Sequence, residues 1–249
     1  ELYTVTKNNG TRRTGILFKQ EDSNLAPTIY LEEFYQKYLK GQQVPDLADS
    51  ICSIYQEIRV KKTCDCQNLF DFNHVKEHIV YKLIRRDANE ELLKQIPYEP
   101  FLDLAVVYYI QIDNTRFGSA AIQIRNEHLR YWRVEKEEIR RLAEKNTPRI
   151  YPMQIQKIVR FMYVATNEQC SLGAAVMRYP DFREKVRGMI RGDFYILPSS
   201  IHEVILVPES FGLEPARMAE MVKEINQTGV APEEVLSDSV YYFDGEEIR

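Results

Sequence analysis

The first twenty residues, ELYTVTKNNGTRRTGILFKQ, place two strand-like stretches, LYTV and GILF, on either side of a polar turn. Asn9 and Gly10 tolerate positive φ, so the pattern predicts a β-hairpin. The period then changes. Tyr30, Leu31, Phe34, Tyr35, Tyr38 and Leu39 recur at the spacing of one helix face, with Pro27 and Thr28 placed to open the helix and Gly41 to end it. A second helix is expected from about Asp46, burying Leu47, Ile51, Ile54, Tyr55 and Ile58. A third is expected over 69–86, with Leu69, Phe72, Lys76, Ile79 and Leu83 on one face. Pro97 and Pro100 interrupt the chain. Beyond them the predicted strands are 104–113, 118–124, 161–167, 173–179, 193–198 and 202–208, with helices at about 134–146, 181–190 and 214–227 and a short final strand.

The expected fold class is therefore α+β: a hairpin and mainly helical front (1–100), then a sheet-rich back (101–249), the two able to pack as one domain. The back contains an internal echo. YYIQIDNTRFGSAAIQI and YVATNEQCSLGAAVMRY both run strand, polar turn, then Gly with small residues. They suggest an antiparallel or mixed sheet of two hairpin-plus-helix units with helices packed on it.

Composition narrows the function classes. The 249 residues carry a net charge of −4, and the basic pairs Arg12-Arg13, Lys61-Lys62, Arg85-Arg86 and Arg140-Arg141 are short and accompanied by acids. No basic stripe of the kind nucleic acid requires is present. The longest apolar run is LAVVYYI, far below the about 20 residues of a membrane span. Cys52, Cys64, Cys66 and Cys170 are too sparse for a disulfide framework and suit a reducing cytoplasm. No secretory signal is visible. The start at Glu1, inside a strand-like stretch, suggests that residues precede it. The 16 tyrosines suit half-buried surfaces and interfaces.

Two constellations have chemical potential. In LPSSIHEVILVPES, Ser199 or Ser200, His202 and Asp238 supply the residue types of a serine nucleophile, its base and an orienting acid. The strand-to-helix elbow of such nucleophiles is missing, and Pro198-Ser199-Ser200 fits a hairpin turn whose hydroxyls satisfy local backbone. Second, Cys64, Cys66, His74 and His78 could hold zinc, the histidines lying at i and i+4, although Cys-x-Cys is shorter than the usual gap. Asp103, Glu127 with His128, Glu203 and Glu224 with Asn226 are available for acid–base work, but no spacing forces them together. Met218, Met221, Val222 and Ile225 form the core stripe of a helix. No G-x-G-x-x-G or Walker loop is present, so no cofactor is expected.

The stretches KNNG (7–10), APTIYLEEFY (26–35), NEELLKQIPYEPFLDLAVVYY (89–109), NEHLRYW (126–132), ILPSSIHEVILVP (196–208) and MVKEINQTGVAPEEVLSDSVYYFD (221–244) together resemble the domain-of-unknown-function family 5688 of Firmicutes bacteria. The YtpQ-like uncharacterised family is more distantly similar. The resemblance implies a bacterial cytoplasmic protein and carries no assigned activity or residue role. It includes the Ser-Ser-x-His-Glu stretch but not Cys64 and Cys66. The expected function is a non-catalytic binding or interaction protein, with a protein partner favoured over a small molecule and no membrane role. The alternatives are a hydrolase using Ser199 or Ser200 with His202, or a zinc protein.

Overall fold

The computed structural model describes residues 1–19, 28–58, 71–115, 118–159 and 161–249. Three antiparallel sheets organise them. The first takes the order β1 (Leu2–Thr6), β2 (Arg12–Leu17), β3 (Thr28–Tyr30). In the second, β4 (Ile79–Arg85) pairs one edge of the long β6 (Leu104–Thr115), while β5 (Tyr98–Phe101) and β7 (Gly118–Gln123) share its other edge. This sheet straddles residue 100. The third contains β8 (Met153–Val159), β9 (Met162–Asn167), β10 (Phe194–Leu197), β11 (Val204–Pro208) and β12 (Tyr241–Phe243), in the order β12-β10-β11-β9-β8. Every strand pair among the described residues is antiparallel. The α+β class is as the pattern predicts.

The main core lies where the second and third sheets present apolar faces to each other. Ile79, Tyr81 and Leu83 of β4 and Leu104, Val106, Tyr108 and Ile110 of β6 join Phe194, Ile196, Val204, Leu206 and Phe243. Ile139, Leu142 and Ala143 of the Lys136–Ile150 helix and Phe182 and Val186 of the Phe182–Ile190 helix complete it. Each such side chain contributes roughly 1.5–3 kcal/mol by leaving water. On the far side of the third sheet, Leu197 and Val207 pack on Met218 and Val222, so half of the predicted stripe of the Pro215–Thr228 helix is a core face, while Ile225 is exposed. A satellite core of Ile29, Phe34 and Leu47, with Phe18, Ile51 and Tyr55 packed against it, holds the first sheet to the Glu32–Leu39 and Val44–Ile58 helices.

Three expectations need correction. The front is not mainly helical, because strands lead the chain and the third helix is largely a strand. Among the described residues of that span only Phe72–Val75 is α-helical; a 3-10 turn covers Lys76–His78, and β4 follows. Ile79, Val80, Tyr81, Leu83 and Ile84 are apolar because both faces of β4 are buried, which erases the alternation that marks a half-exposed strand. Thr28 does not cap a helix but pairs with Leu17 in β3, and the helix begins only at Glu32. GAAVMRY is not a strand either: Gly173–Arg178 is a buried 3-10 helix. The echo therefore yields one hairpin, β6–β7, and its second copy does not repeat it. Pro27, Cys64, Cys66 and Leu69 lie outside the described residues.

The 3-10 segment exists because its backbone presses on the third sheet. A Cβ on Gly173 would collide with Thr166 Oγ1 and lie 2.5 Å from the His202 carbonyl oxygen. Gly173→Ala is thus expected to destabilise the protein by about 1–3 kcal/mol, the range for overpacking. In the same urea-melt series Gly188→Ala, where a Cβ meets nothing within 4 Å, is expected to stabilise by roughly 0.5–1 kcal/mol.

Candidate functional site

The hairpin turn between β1 and β2 reaches across the molecule. Asn9 has φ 57° and ψ 27°, the left-handed region that asparagine enters more readily than other non-glycine residues. That conformation aims its amide at the chain after the Pro215–Thr228 helix. Nδ2 donates to the carbonyls of Pro232 at 2.9 Å and Val235 at 2.7 Å. Asn9 Oδ1 accepts from Asn89 Nδ2 at 2.9 Å, and Asn89 Oδ1 accepts the Asn9 backbone N–H at 3.0 Å. Asn8 Nδ2 donates to the Glu233 carbonyl at 2.7 Å, and Arg13 donates to the Glu233 carboxylate. Asn89 is buried, and its second Nδ2 bond, to the Arg85 carbonyl at 2.7 Å, fixes it to the end of β4.

Arg85 ends β4 and links the same elements by charge. It donates Nε and Nη2 to Asp87 at 2.7 and 3.2 Å, and Nη1 to Asp238 at 2.8 Å. Asp238 also accepts from Asn226 Nδ2 at 2.8 Å. Beside it Asp103, in the β5–β6 turn, accepts from Ser237 at 2.6 Å, Ser239 at 3.2 Å and the Tyr241 hydroxyl.

Asn9, Arg85, Asp87, Asn226, Pro232 and Val235 of this network also line a cleft of about 560 Å³. Asn9, Arg85, Asp87, Asn226, Gln227 and Thr228 give it polar walls, and Val230, Pro232 and Val235 an apolar one. The charges are held in their ionised forms. Hydrogen bonding to Asp87 and Asp238 raises the Arg85 guanidinium above its ordinary value. The Arg85 bond holds Asp87 below the usual carboxylate range. At Asp238 burial pushes upward, but the bonds from Asn226 and Arg85 outweigh it and the carboxyl is lowered.

The residues proposed from the sequence fall differently. Pro198-Ser199-Ser200 turns the chain between β10 and β11, and Ser200 Oγ accepts the His202 backbone N–H at 3.1 Å. The Ser199 carbonyl accepts from Leu236 N. His202 Nδ1 accepts the Leu172 N–H at 3.2 Å, which leaves the ring proton on Nε2, 3.3 Å from Glu234 Oε1. Neither nitrogen is aimed at a serine hydroxyl, and the acid beside the ring is Glu234. Asp238 is bonded instead to Arg85 and Asn226. Ser199, Ser200, His202 and Asp238 therefore do not assemble into a relay.

His74 lies in the Phe72–Val75 helix with Asp71 Oδ2 3.5 Å from its Nδ1, and His78 in the 3-10 turn, both exposed. Cys64 and Cys66 lie outside the described residues. Among the described residues no three His, Cys, Asp or Glu side chains stand where they could hold a metal ion, and no helix is long and apolar enough to cross a membrane.

Asp103, Asn226 and Asp238 were candidates in the sequence with no spacing to join them, and the fold brings them to one place. Asn9 was visible only as a turn residue. Arg85, Asp87 and Asn89 gave no signal, because an arginine beside a helix-like apolar run has the pattern of a solvated face.

Three of the stretches that carry the family resemblance converge here: KNNG with Asn9, NEELLKQIPYEPFLDLAVVYY with Asn89 and Asp103, and the C-terminal stretch with Asn226 and Asp238. Residues 1–162 and 156–245 match the sequence profile of a family described as of unknown function, DUF5688. The chain belongs to the DUF5688 family. No curated protein and no solved structure matches it. The family thus gives the chain a membership without an activity.

Two outcomes test the network. Asn9→Ala is expected to cost about 2–3 kcal/mol in urea melts, since it orphans partner groups and leaves alanine in the left-handed region; Asn9→Gly, free of that backbone strain, is expected to cost about 1 kcal/mol less. Asp87 and Asp238 have lowered folded-state values. Their stabilisation is therefore complete above the unfolded value near 4 and is lost as pH falls through the folded values. Melts of the wild type should weaken below about pH 4, and Arg85→Gln should flatten that part of the curve.

Proposed function

We propose that this DUF5688 protein is a non-catalytic binding protein that recognises an extended segment of a partner protein in the cleft. The observation that carries the reading is that the cleft's charges are engaged with protein partners: Arg85 bonds Asp87 on the wall and Asp238 next to it, and Asp238 also accepts from Asn226. A general acid or base works best with its pKa near the operating pH. Arg85 is shifted up and Asp87 and Asp238 down, each away from neutrality. Fixed charges of this kind orient a ligand and do not exchange protons with it.

The lining favours a peptide over a compact small molecule. A side-chain amide offers a donor and an acceptor together, as the exposed Gln227 does on the cleft wall, and so matches a peptide backbone. Val230, Pro232 and Val235 offer an apolar wall to a side chain. Sparse cysteines and the family resemblance support a bacterial cytoplasmic setting.

Selection of displayed peptides on the immobilised full chain is the test. Peptides are expected whose binding is lost in Gln227→Trp, an exposed position on the cleft wall where the larger side chain fills the space. Hydrolysis of an activated ester is expected to stay at the same background rate in the wild type and in His202→Ala. Peptides indifferent to Gln227→Trp, or an ester hydrolysis abolished by His202→Ala, would contradict the reading.

A further inference from the structure

A second cleft, of about 440 Å³, lies away from the first, between the Phe182–Ile190 helix and the turn after β12. It is lined by Arg183, Glu184, Arg187, Gly188, Phe243 and Gly245. The two arginines are one helical turn apart and so present their heads side by side. Acidic residues are close in sequence, yet among the described residues neither guanidinium meets a carboxylate within ion-pair distance; Asp244 is engaged by Arg249 and by the amides of Glu246 and Glu247. Arg183 Nη1 donates instead to the Glu246 carbonyl at 2.7 Å, and Arg187 Nη1 to the Gly245 carbonyl at 3.4 Å. These neutral acceptors hold the two heads at the cleft, while most of their N–H groups meet no acceptor among the described residues. A guanidinium fork of this kind matches the oxygens of a phosphoryl group.

Gly188 gives an independent indication. It stands inside a helix, where glycine is unfavourable relative to alanine, and no packing requires it, since a Cβ there would meet nothing within 4 Å. The fold does not explain this residue. A ligand lying against the helix would, because the missing side chain keeps the cleft open beside both arginines. Gly245 supplies a second bare backbone on the opposite wall, where Phe243 belongs to the buried core beneath the cleft. Glu184, the carboxylate in the lining, disfavours a second anionic group on the ligand.

We propose that this cleft binds a small organic phosphomonoester, its phosphoryl group on Arg183 and Arg187 and its organic part in the space left open by Gly188 and Gly245. Isothermal titration of the full chain at low salt, with inorganic phosphate and phenyl phosphate as probes, tests the assignment. Phenyl phosphate is expected to bind with a Kd of about 1 mM or tighter and several-fold better than inorganic phosphate. Arg183→Ala and Arg187→Ala are each expected to weaken it about 10-fold, the scale of one charge-assisted hydrogen bond. Gly188→Leu is expected to abolish phenyl phosphate binding while melting no lower than the wild type, which separates a blocked cleft from a lost fold. Failure of phenyl phosphate to bind below about 10 mM would overturn the proposal. So would equal binding by the double variant Arg183→Ala/Arg187→Ala. Equal affinity for the two probes would overturn the organic part and leave a plain anion site.

Discussion

Burial of β4 and β6 on both faces is the constraint from which the remaining elements take their places. One face of the pair, through Tyr81, Leu83, Val106 and Tyr108, closes the main core against the third sheet. The other face, through Ile84, Ala105 and Val107, packs on Leu93 and Ile96, and Val80 and Tyr109 meet Tyr151. A strand enclosed in this way ends abruptly at the surface. Arg85 and the loop after it therefore emerge at a fixed point, and the hairpin turn and the chain after the Pro215–Thr228 helix meet there. The cleft is a consequence of that meeting.

What joins these parts at the surface is polar, with few spare groups. Asn9 and Asn89 exchange hydrogen bonds and bind carbonyls of other segments, so each amide is satisfied only when the hairpin, the end of β4 and residues 232–235 are all in position. Arg85 with Asp87 and Asp238 adds a charged version of the same condition. Because a buried unpaired polar group is costly, such a set specifies one arrangement more than it adds net stability. The same hydrogen bonds favour the ionised forms of Arg85, Asp87 and Asp238.

Much of the fold was legible where one face of an element meets water. The opening hairpin, the helices at 136–150, 182–190 and 215–228, and strands β6, β7, β9, β10 and β11 follow from turn residues and period. Legibility failed where that contrast vanished. β4 has apolar residues in consecutive positions because it faces two cores, and a short apolar run of that kind fits helix or strand equally. Gly173–Arg178 has the sequence pattern of a strand because GAAV is small and apolar, yet it is small in order to pack a 3-10 turn on Thr166 and the His202 carbonyl. β5, with Pro100 inside it, was concealed by the breaker residue itself. The cleft was less legible than the fold. Its residues lie up to 226 positions apart, from Asn9 to Val235, and only a tertiary structure brings them together. His202 shows the converse, since a sequence neighbourhood rich in chemical residue types became a turn with its hydrogen bonds satisfied locally.

The claim that the cleft is a site of fixed charge is tested most directly by following the carboxyl carbons of Asp87 and Asp238 by NMR as pH is varied on the full chain. Both are expected to remain ionised from neutrality down to below about pH 4, with midpoints under the ordinary aspartate value. A midpoint for either between about pH 6 and 8, where a general base operates, would contradict the account and turn the cleft into a candidate catalytic centre.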